Sequence, residues 1–256
     1  MKIFATRRLQ LESLENRELM AGNVSVAFHN GDLYITGDGA ANDVQVRQSS
    51  PGVYKITGQT HYNAATKING NANGTSTATG VYGNVFVSLG GGDDHLDFGT
   101  GDARLITVPK NLSIDMGAGN DWANVRDVKT GGNLAVHTGT GKDNTHIYKA
   151  EVGGSLFVED PSSVNSGDYD KASVNSCKVK GQIQFIFRGG NDSAEITSST
   201  ADRVYADLGN GNDSFQMTFT KPRGFTVLGG GGSDFFFVPD VNGTRYSGSG
   251  FETVRR

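Results

Sequence analysis

Seven aspartates punctuate this chain at near-regular steps. Asp94, Asp121, Asp143, Asp170, Asp192, Asp213 and Asp234 each close a short turn, typified by Gly90-Gly91-Gly92-Asp93-Asp94 and Gly209-Asn210-Gly211-Asn212-Asp213. Successive steps between them are 27, 22, 27, 22, 21 and 21 residues. A carboxylate in such a place has two chemical uses. It can cap turn amides, stacking into a polar ladder. Alternatively, it can join backbone carbonyls freed by glycine in a shell of hard oxygen ligands around a divalent cation. Stacked carboxylates about 5 Å apart repel by roughly 1 kcal/mol per neighbour even in a water-like dielectric, so a cation between them would turn repulsion into cross-linking. On the cation reading the ligands are Asp94, Asp121, Asp143, Asp192, Asp213 and Asp234, with Asp93 adding charge in the first copy.

Other chemistry has weaker support. A polysaccharide hydrolase or lyase needs paired carboxylates, or a calcium site beside a basic residue, in a surface groove. Asp97, His146, Lys171 and Glu195 are outward candidates, but their spacing does not draw them to one place. The five histidines are dispersed without zinc-ligand spacing, and Gly229–Gly232 lacks the Lys-Ser/Thr of a phosphate loop. Trp122 falls on an outward strand position, suited to stacking on a sugar ring or covering a neighbouring loop. Cys177 is the single cysteine, so no intrachain disulfide is possible; it is expected to pack as a small hydrophobe or to sit in a turn.

These residues need elements to hold them. A period of this length means stacked coils. Two residues after each Asp stand Leu96, Ala123, Thr145, Ala172, Ala194, Phe215 and Phe236; four after it stand Phe98, Val125, Ile147, Val174, Ile196, Met217 and Val238. Residues two apart face the same side of a strand, so each Asp is followed by a strand with one buried face. Asp97, Asn124, His146, Ser173, Glu195 and Gln216 lie between and face out, whereas Phe235 and Phe237 suggest a covered outer face in the last copy. A second strand precedes each turn, as in Val85-Phe86-Val87 and Phe225-Thr226-Val227. The longer steps carry their extra residues near Asp160–Val164, read as a bulging loop, and near Gly99–Val108, where Arg104–Val108 suggests a local third strand. Helical periodicity is weak after residue 22. The expected fold is all-β: a right-handed parallel β-solenoid, β-helix or two-sheet β-roll, with about 21–27 residues per coil.

Composition agrees: 37 glycines and 20% charged residues suit a turn-dense β protein. A net charge of −4 offers no basic stripe for nucleic acid, and no apolar run is long enough for a membrane span. The expected division is 1–22, an export-like segment; 23–82, a β cap with degenerate coils; and 83–256, the repeats with a C-terminal cap at Tyr246–Val254. Within the cap block, Asn30-Gly31 marks a hairpin turn, and Asn42-Asp43-Val44-Gln45-Val46 reads as a repeat shifted by one. Residues 58–80, rich in Gly, Asn, Thr and Ala, read as an atypical coil or loop.

Two resemblances add to this. The run from Arg7-Arg8 to Leu19-Met20 resembles the LEPR-XLL-type segment of planctomycete secreted and surface proteins through Leu14, Glu15, Arg17, Leu19 and Met20, with Asn16 where proline is commoner. It implies export and an extracellular or cell-surface location. The Asp turns resemble degenerate RTX-type calcium repeats, which implies Ca²⁺ as cofactor. They depart from that pattern in occurring once per coil, and in carrying Leu89, Met116, Thr138, Asn165, Phe187 or Leu208 where its first glycine belongs; only Gly229–Asp234 has the double glycine. Together these point to a non-enzymatic extracellular structural or adhesive module, with extracellular polysaccharide or surface proteins as partners and an undetermined oligomeric state. The alternative is a carbohydrate-active β-helix enzyme, which a groove lined by acidic and basic residues from adjacent coils would reveal.

Overall fold

The computed structural model describes residues 22–61, 64–72, 74–99, 104–160, 169–239 and 245–255. Segment 1–21, nearly all of the export-like run, and residues 161–168, most of the expected bulging loop, lie outside them. Every regular element described is a strand. No helix among the described residues is long and apolar enough to cross a membrane.

The chain winds as a parallel β-solenoid. One sheet has twelve strands and contains the segments that precede the Asp turns, running from Val85–Ser88 through Leu112–Asp115 and Arg203–Asp207 to Gly224–Leu228. A facing sheet of eleven strands contains the segments that follow the turns, including His95–Phe98, Trp122–Arg126, Asn144–Tyr148 and Ser214–Thr218. Neighbouring coils pair in parallel with like positions opposite: Val85 faces Leu112, which faces Leu134. In the second sheet Leu96 faces Ala123, which faces Thr145. A third, four-stranded sheet stacks Ile106–Val108, Val128–Thr130, Glu151–Val152 and Lys178–Val179. The single local strand read from the sequence is therefore the first of four, the others being only two or three residues long.

The alternation of side chains sets the core. Every residue two or four after an Asp is buried, and so is every inward pair before the turns. Leu96, Phe98, Phe185 and Phe215 are 0% exposed. Phe215 stacks on Phe236 with ring centroids 5.8 Å apart. Among the residues expected to face out, Asn124 is instead buried: its amide donates to Asp97 Oδ1 (3.1 Å), and Arg126 Nε donates to its Oδ1 (3.3 Å). Phe235 and Phe237 are half-buried on the outer side.

The two ends differ. At the start, Asn23–His29 pairs antiparallel with Asp32–Thr36 across the Asn30-Gly31 turn, where both residues have positive φ (51° and 87°). Asp43–Ser50, Val53–Gly58 and Thr75–Thr79 form a second antiparallel set, covering the open side of the first coil. Residues 58–80, read as an atypical coil or loop, contain short strands. At the far end, Arg245–Ser249 and Phe251–Arg255 add a further parallel strand to each long sheet, the first in register with Gly224–Leu228 and the second pairing Asp234–Phe237 across a register shift at Asp234/Phe235. The segment expected as a C-terminal cap is thus one more coil, joined by a tight turn at Gly250 (φ 81°).

Candidate functional site

Each Asp has the same strand parity as the buried residues two and four after it, so its carboxylate points inward. All seven are 2–3% exposed. Their backbone amides and carboxylates form one continuous ladder. The amide of Asp94 donates to Asp121 Oδ1 (2.7 Å), that of Asp121 to Asp143 Oδ1 (2.7 Å), and that of Asp143 to Asp170 Oδ1 (3.0 Å). The series continues from Asp170 to Asp192 (2.8 Å), Asp192 to Asp213 (2.7 Å) and Asp213 to Asp234 (2.8 Å). Asn42 takes the matching place before the first rung, its amide donating to Asp94 Oδ1 at 2.6 Å. The structure therefore brings together all six expected ligands, and adds Asp170 between Asp143 and Asp192.

The glycines of the turn exist because coils touch there. Gly119 has φ 143°, and a Cβ on it would lie 2.0 Å from the carbonyl oxygen of Gly92 in the coil before; at Gly211 the corresponding distance to Gly190 is 1.4 Å. No L side chain fits either position. The turn carbonyls are also engaged: Gly90 O accepts from Ala118 N, and Gly117 O from Thr140 N, each at 2.9 Å.

Burial makes these carboxylates reluctant to ionise. Desolvation pushes Asp94 up to about 8, Asp213 to about 7 and Asp121 to about 6, against the lowering effect of the amide each accepts. Like-charged neighbours in the ladder add to the rise at Asp94 and Asp213. The Oδ2 atoms of Asp94, Asp121 and Asp213 are buried and accept no hydrogen bond. The residue five before the Asp lies beside this column: a Cβ on Gly229 would come within 2.6 Å of Asp234 Oδ2. Elsewhere that position carries buried Leu89, Met116, Phe187 and Leu208, which keep water away.

A calcium shell takes six to eight oxygens. The column contributes one dry carboxylate oxygen per rung at Asp94, Asp121 and Asp213, while turn carbonyls are covered by the next coil's glycine. Among the described residues, no group of three or more His, Cys, Asp or Glu side chains is arranged to hold a metal ion. The oxygens are of the right chemical kind, but their number falls short of a shell in this arrangement.

Other corners have ladders of their own. Asn84, Asn111, Asn133 and Ser155 form one in which each amide bonds the side chain of the coil before: Asn111 N to Asn84 Oδ1 (3.2 Å), Asn133 N to Asn111 Oδ1 (2.8 Å), Ser155 N to Asn133 Oδ1 (2.9 Å). Cys177, Ser199 and Thr220 form another: Cys177 N donates to Ser199 Oγ (3.0 Å) and Ser199 N to Thr220 Oγ1 (3.1 Å). Cys177 is buried as expected, its thiol pushed up to about 11 by desolvation, and it accepts the amide of Ala150.

On the outer face of the second sheet, Trp122 is 44% exposed. It meets His95 edge-on (6.3 Å) and His146 at a tilt (5.7 Å). His146 donates to or accepts from Ser173 Oγ (2.6 Å), and burial beside Lys171 and Arg126 lowers its pKa. Asp97 and Glu195 lie on this same face in one register row with Asn124, His146 and Ser173, and Lys171 lies two residues off that row. On the opposite sheet an open cleft of about 1020 Å³ crosses three coils, lined by Gln182, Gln184, Asp202, Arg203, Tyr205 and Arg223 among others. Gly224, without a side chain, faces Arg203 in the pairing across it.

Fold and ladders define a parallel β-solenoid. A family model described as Planctomycete extracellular matches residues 6–24, which supports a planctomycete-type extracellular segment at the start of the sequence and an extracellular location. No curated protein and no solved structure matches the chain.

Proposed function

We propose that this chain is a non-enzymatic extracellular structural module, a stiff solenoid that presents flat sheet faces at the cell surface. The observation that carries this reading is the repeating register: core layers and Asp ladder recur from the coil of Asp94 to that of Asp234, and among the described residues no chemically distinct coil interrupts them. The carbohydrate-active alternative calls for acidic and basic residues converging from adjacent coils. The cleft does gather Asp202, Arg203 and Arg223, but Asp202 is the one carboxylate among the lining residues and pairs with Arg223 at 3.4 Å. A lone exposed ion pair is suited to binding better than to general acid–base work. Protease treatment of intact cells tests the location: loss of the chain from untreated-size bands supports surface exposure, and full protection refutes it.

Within this module the Asp column acts as a capping ladder in which each carboxyl accepts an amide of the coil before, and burial favours the protonated form at Asp94, Asp213 and Asp121. Calcium is the second reading, favoured by the dry Oδ2 atoms of Asp94, Asp121 and Asp213. Thermal unfolding in chelator, then across Ca²⁺ with Mg²⁺ as control, separates the two. A ligand bound only by the folded chain adds about 2.7 kcal/mol at a hundredfold excess over its Kd. The capping ladder predicts equal melting in all three solutions.

A further inference from the structure

The side of the solenoid formed by the third sheet carries a charge of its own. Lys129, Glu151 and Lys178 stand in register on successive strands, and Glu151 pairs with Lys129 at 3.4 Å and with Lys178 at 3.8 Å. Beside this ridge runs a groove of about 390 Å³, floored by Gly131 and Gly153, with Lys180 in line with them on the next coil. A Cβ on Gly153 would lie 2.3 Å from the carbonyl oxygen of Gly131, so no side chain fills that floor. Lys180 is exposed and makes no ion pair with the described residues, while Asp202 on the following coil pairs with Arg223. Lys110 and Lys149 are exposed at the two edges of the same sheet. Against these five lysines stand Glu151 and the buried Asp127, a local excess of three positive groups in a chain whose net charge is −4. The contrast arises because the seven ladder aspartates, with Asp43, Asp127 and Asp160, are buried, which takes much of the negative charge off the surface.

We propose that the groove on the third sheet binds an anionic polysaccharide laid along the solenoid axis. Lysine ammoniums are point charges on flexible stems, so they read the charge of a sulfate ester or a uronate and not its planar shape. The glycine floor leaves room for an extended chain of sugar rings, and the exposed Thr200 offers a hydroxyl at the rim. The lining holds no aromatic ring on which a nucleic-acid base would stack. Val152 and Val179 are buried, so the groove has no apolar socket for a peptide side chain either. The partner rests on the extracellular placement proposed above, but its test in solution does not.

The test uses the full chain and measures, by calorimetry, binding of a sulfated oligosaccharide, an oligouronate, a neutral oligosaccharide of equal length and a single-stranded oligonucleotide of equal charge. Expected are saturable binding of both anionic sugars, weakening as salt rises, and none of the neutral one. Lys180→Gln is expected to weaken binding about fivefold, ~1 kcal/mol, as fits the loss of one close charge pair in a water-like dielectric. Glu151→Gln removes the carboxylate from the groove and is expected to tighten binding by a similar factor. Arg203→Gln takes the same charge from the first sheet and leaves binding unchanged, and the thermal melt of each variant confirms that it folds. The proposal is overturned if neither anionic sugar binds at millimolar concentration, if Arg203→Gln weakens binding as much as Lys180→Gln, or if Glu151→Gln fails to tighten it. Equally tight binding of the neutral sugar or the oligonucleotide also overturns it. Surface exposure in cells without glycan binding would refute this inference and leave the structural role standing.

Discussion

At the level of single residues, the aspartates couple folding to protons. The folded chain holds protons on Asp94, Asp213 and Asp121 up to about pH 8, 7 and 6, whereas an unfolded aspartate releases them near pH ~4. Between those limits the folded state binds more protons, so stability is complete at low pH and falls as pH rises through the folded values. Melting in chelator is therefore expected at lower temperature at pH 8 than at pH 5. Asp121→Asn keeps an oxygen for the Asp94 amide and removes the ionisable group, so it is expected to flatten part of this slope. Asp121→Ala strips the Asp94 amide of its acceptor and is expected to cost about 1–3 kcal/mol at either pH. Chemical denaturation of the two variants at both pH values checks the pair. Phe219 offers a contrast: it is 85% exposed and holds φ 51°, a left-handed corner shared by Asp127, Lys149, Ser176 and Ser198. Left-handed backbone costs an L residue roughly 1–2 kcal/mol, so Phe219→Gly is expected to raise the denaturation midpoint.

The element that matters most is the turn, since there the coils come closest. Gly119→Ala and Gly211→Ala would each drive a methyl into the carbonyl of the coil before, in a backbone region L residues avoid. Each is expected to destabilise by about 2 kcal/mol or more. Gly39 stands in open space, so Gly39→Ala serves as the neutral control in the same thermal series. Much of this was legible. The two-residue rhythm after each Asp located both long sheets and their inward positions, because strand alternation is rigid and the repeat keeps its phase. The same rhythm puts Asp94 in phase with Leu96 and Phe98, so its inward carboxylate was within reach of the pattern. The reading of Asp94 as a turn cap or cation ligand did not use that phase. The third sheet was hard to see, since strands as short as Glu151–Val152 leave no alternation to read. The Asn84–Asn111–Asn133–Ser155 ladder follows steps of 27, 22 and 22 residues, with glycine directly before Asn84, Asn133 and Ser155, so its signal lay in the sequence.

For the whole molecule, contacts run between neighbouring coils, so stability is a sum of coil and interface contributions. The central coils have partners on both sides, the first is covered by antiparallel strands, and the coil of Arg245–Ser249 and Phe251–Arg255 has a described partner on one side only. Hydrogen exchange is expected to be slowest for amides of the Asp121 to Asp192 coils and to quicken toward Phe251–Arg255. Uniform protection along the stack would show instead that the chain opens as one unit.

The repeating register of the Asp ladder has a genetic consequence. Each rung of the Asp ladder joins the amide of one coil to the carboxylate of the next, and the same bond forms whichever two coils are adjacent. Unequal crossing-over between stretches encoding neighbouring coils would therefore insert or remove a whole coil while every junction kept its bond. A gene of this kind can lengthen or shorten its product in steps of one turn without inventing a new interface.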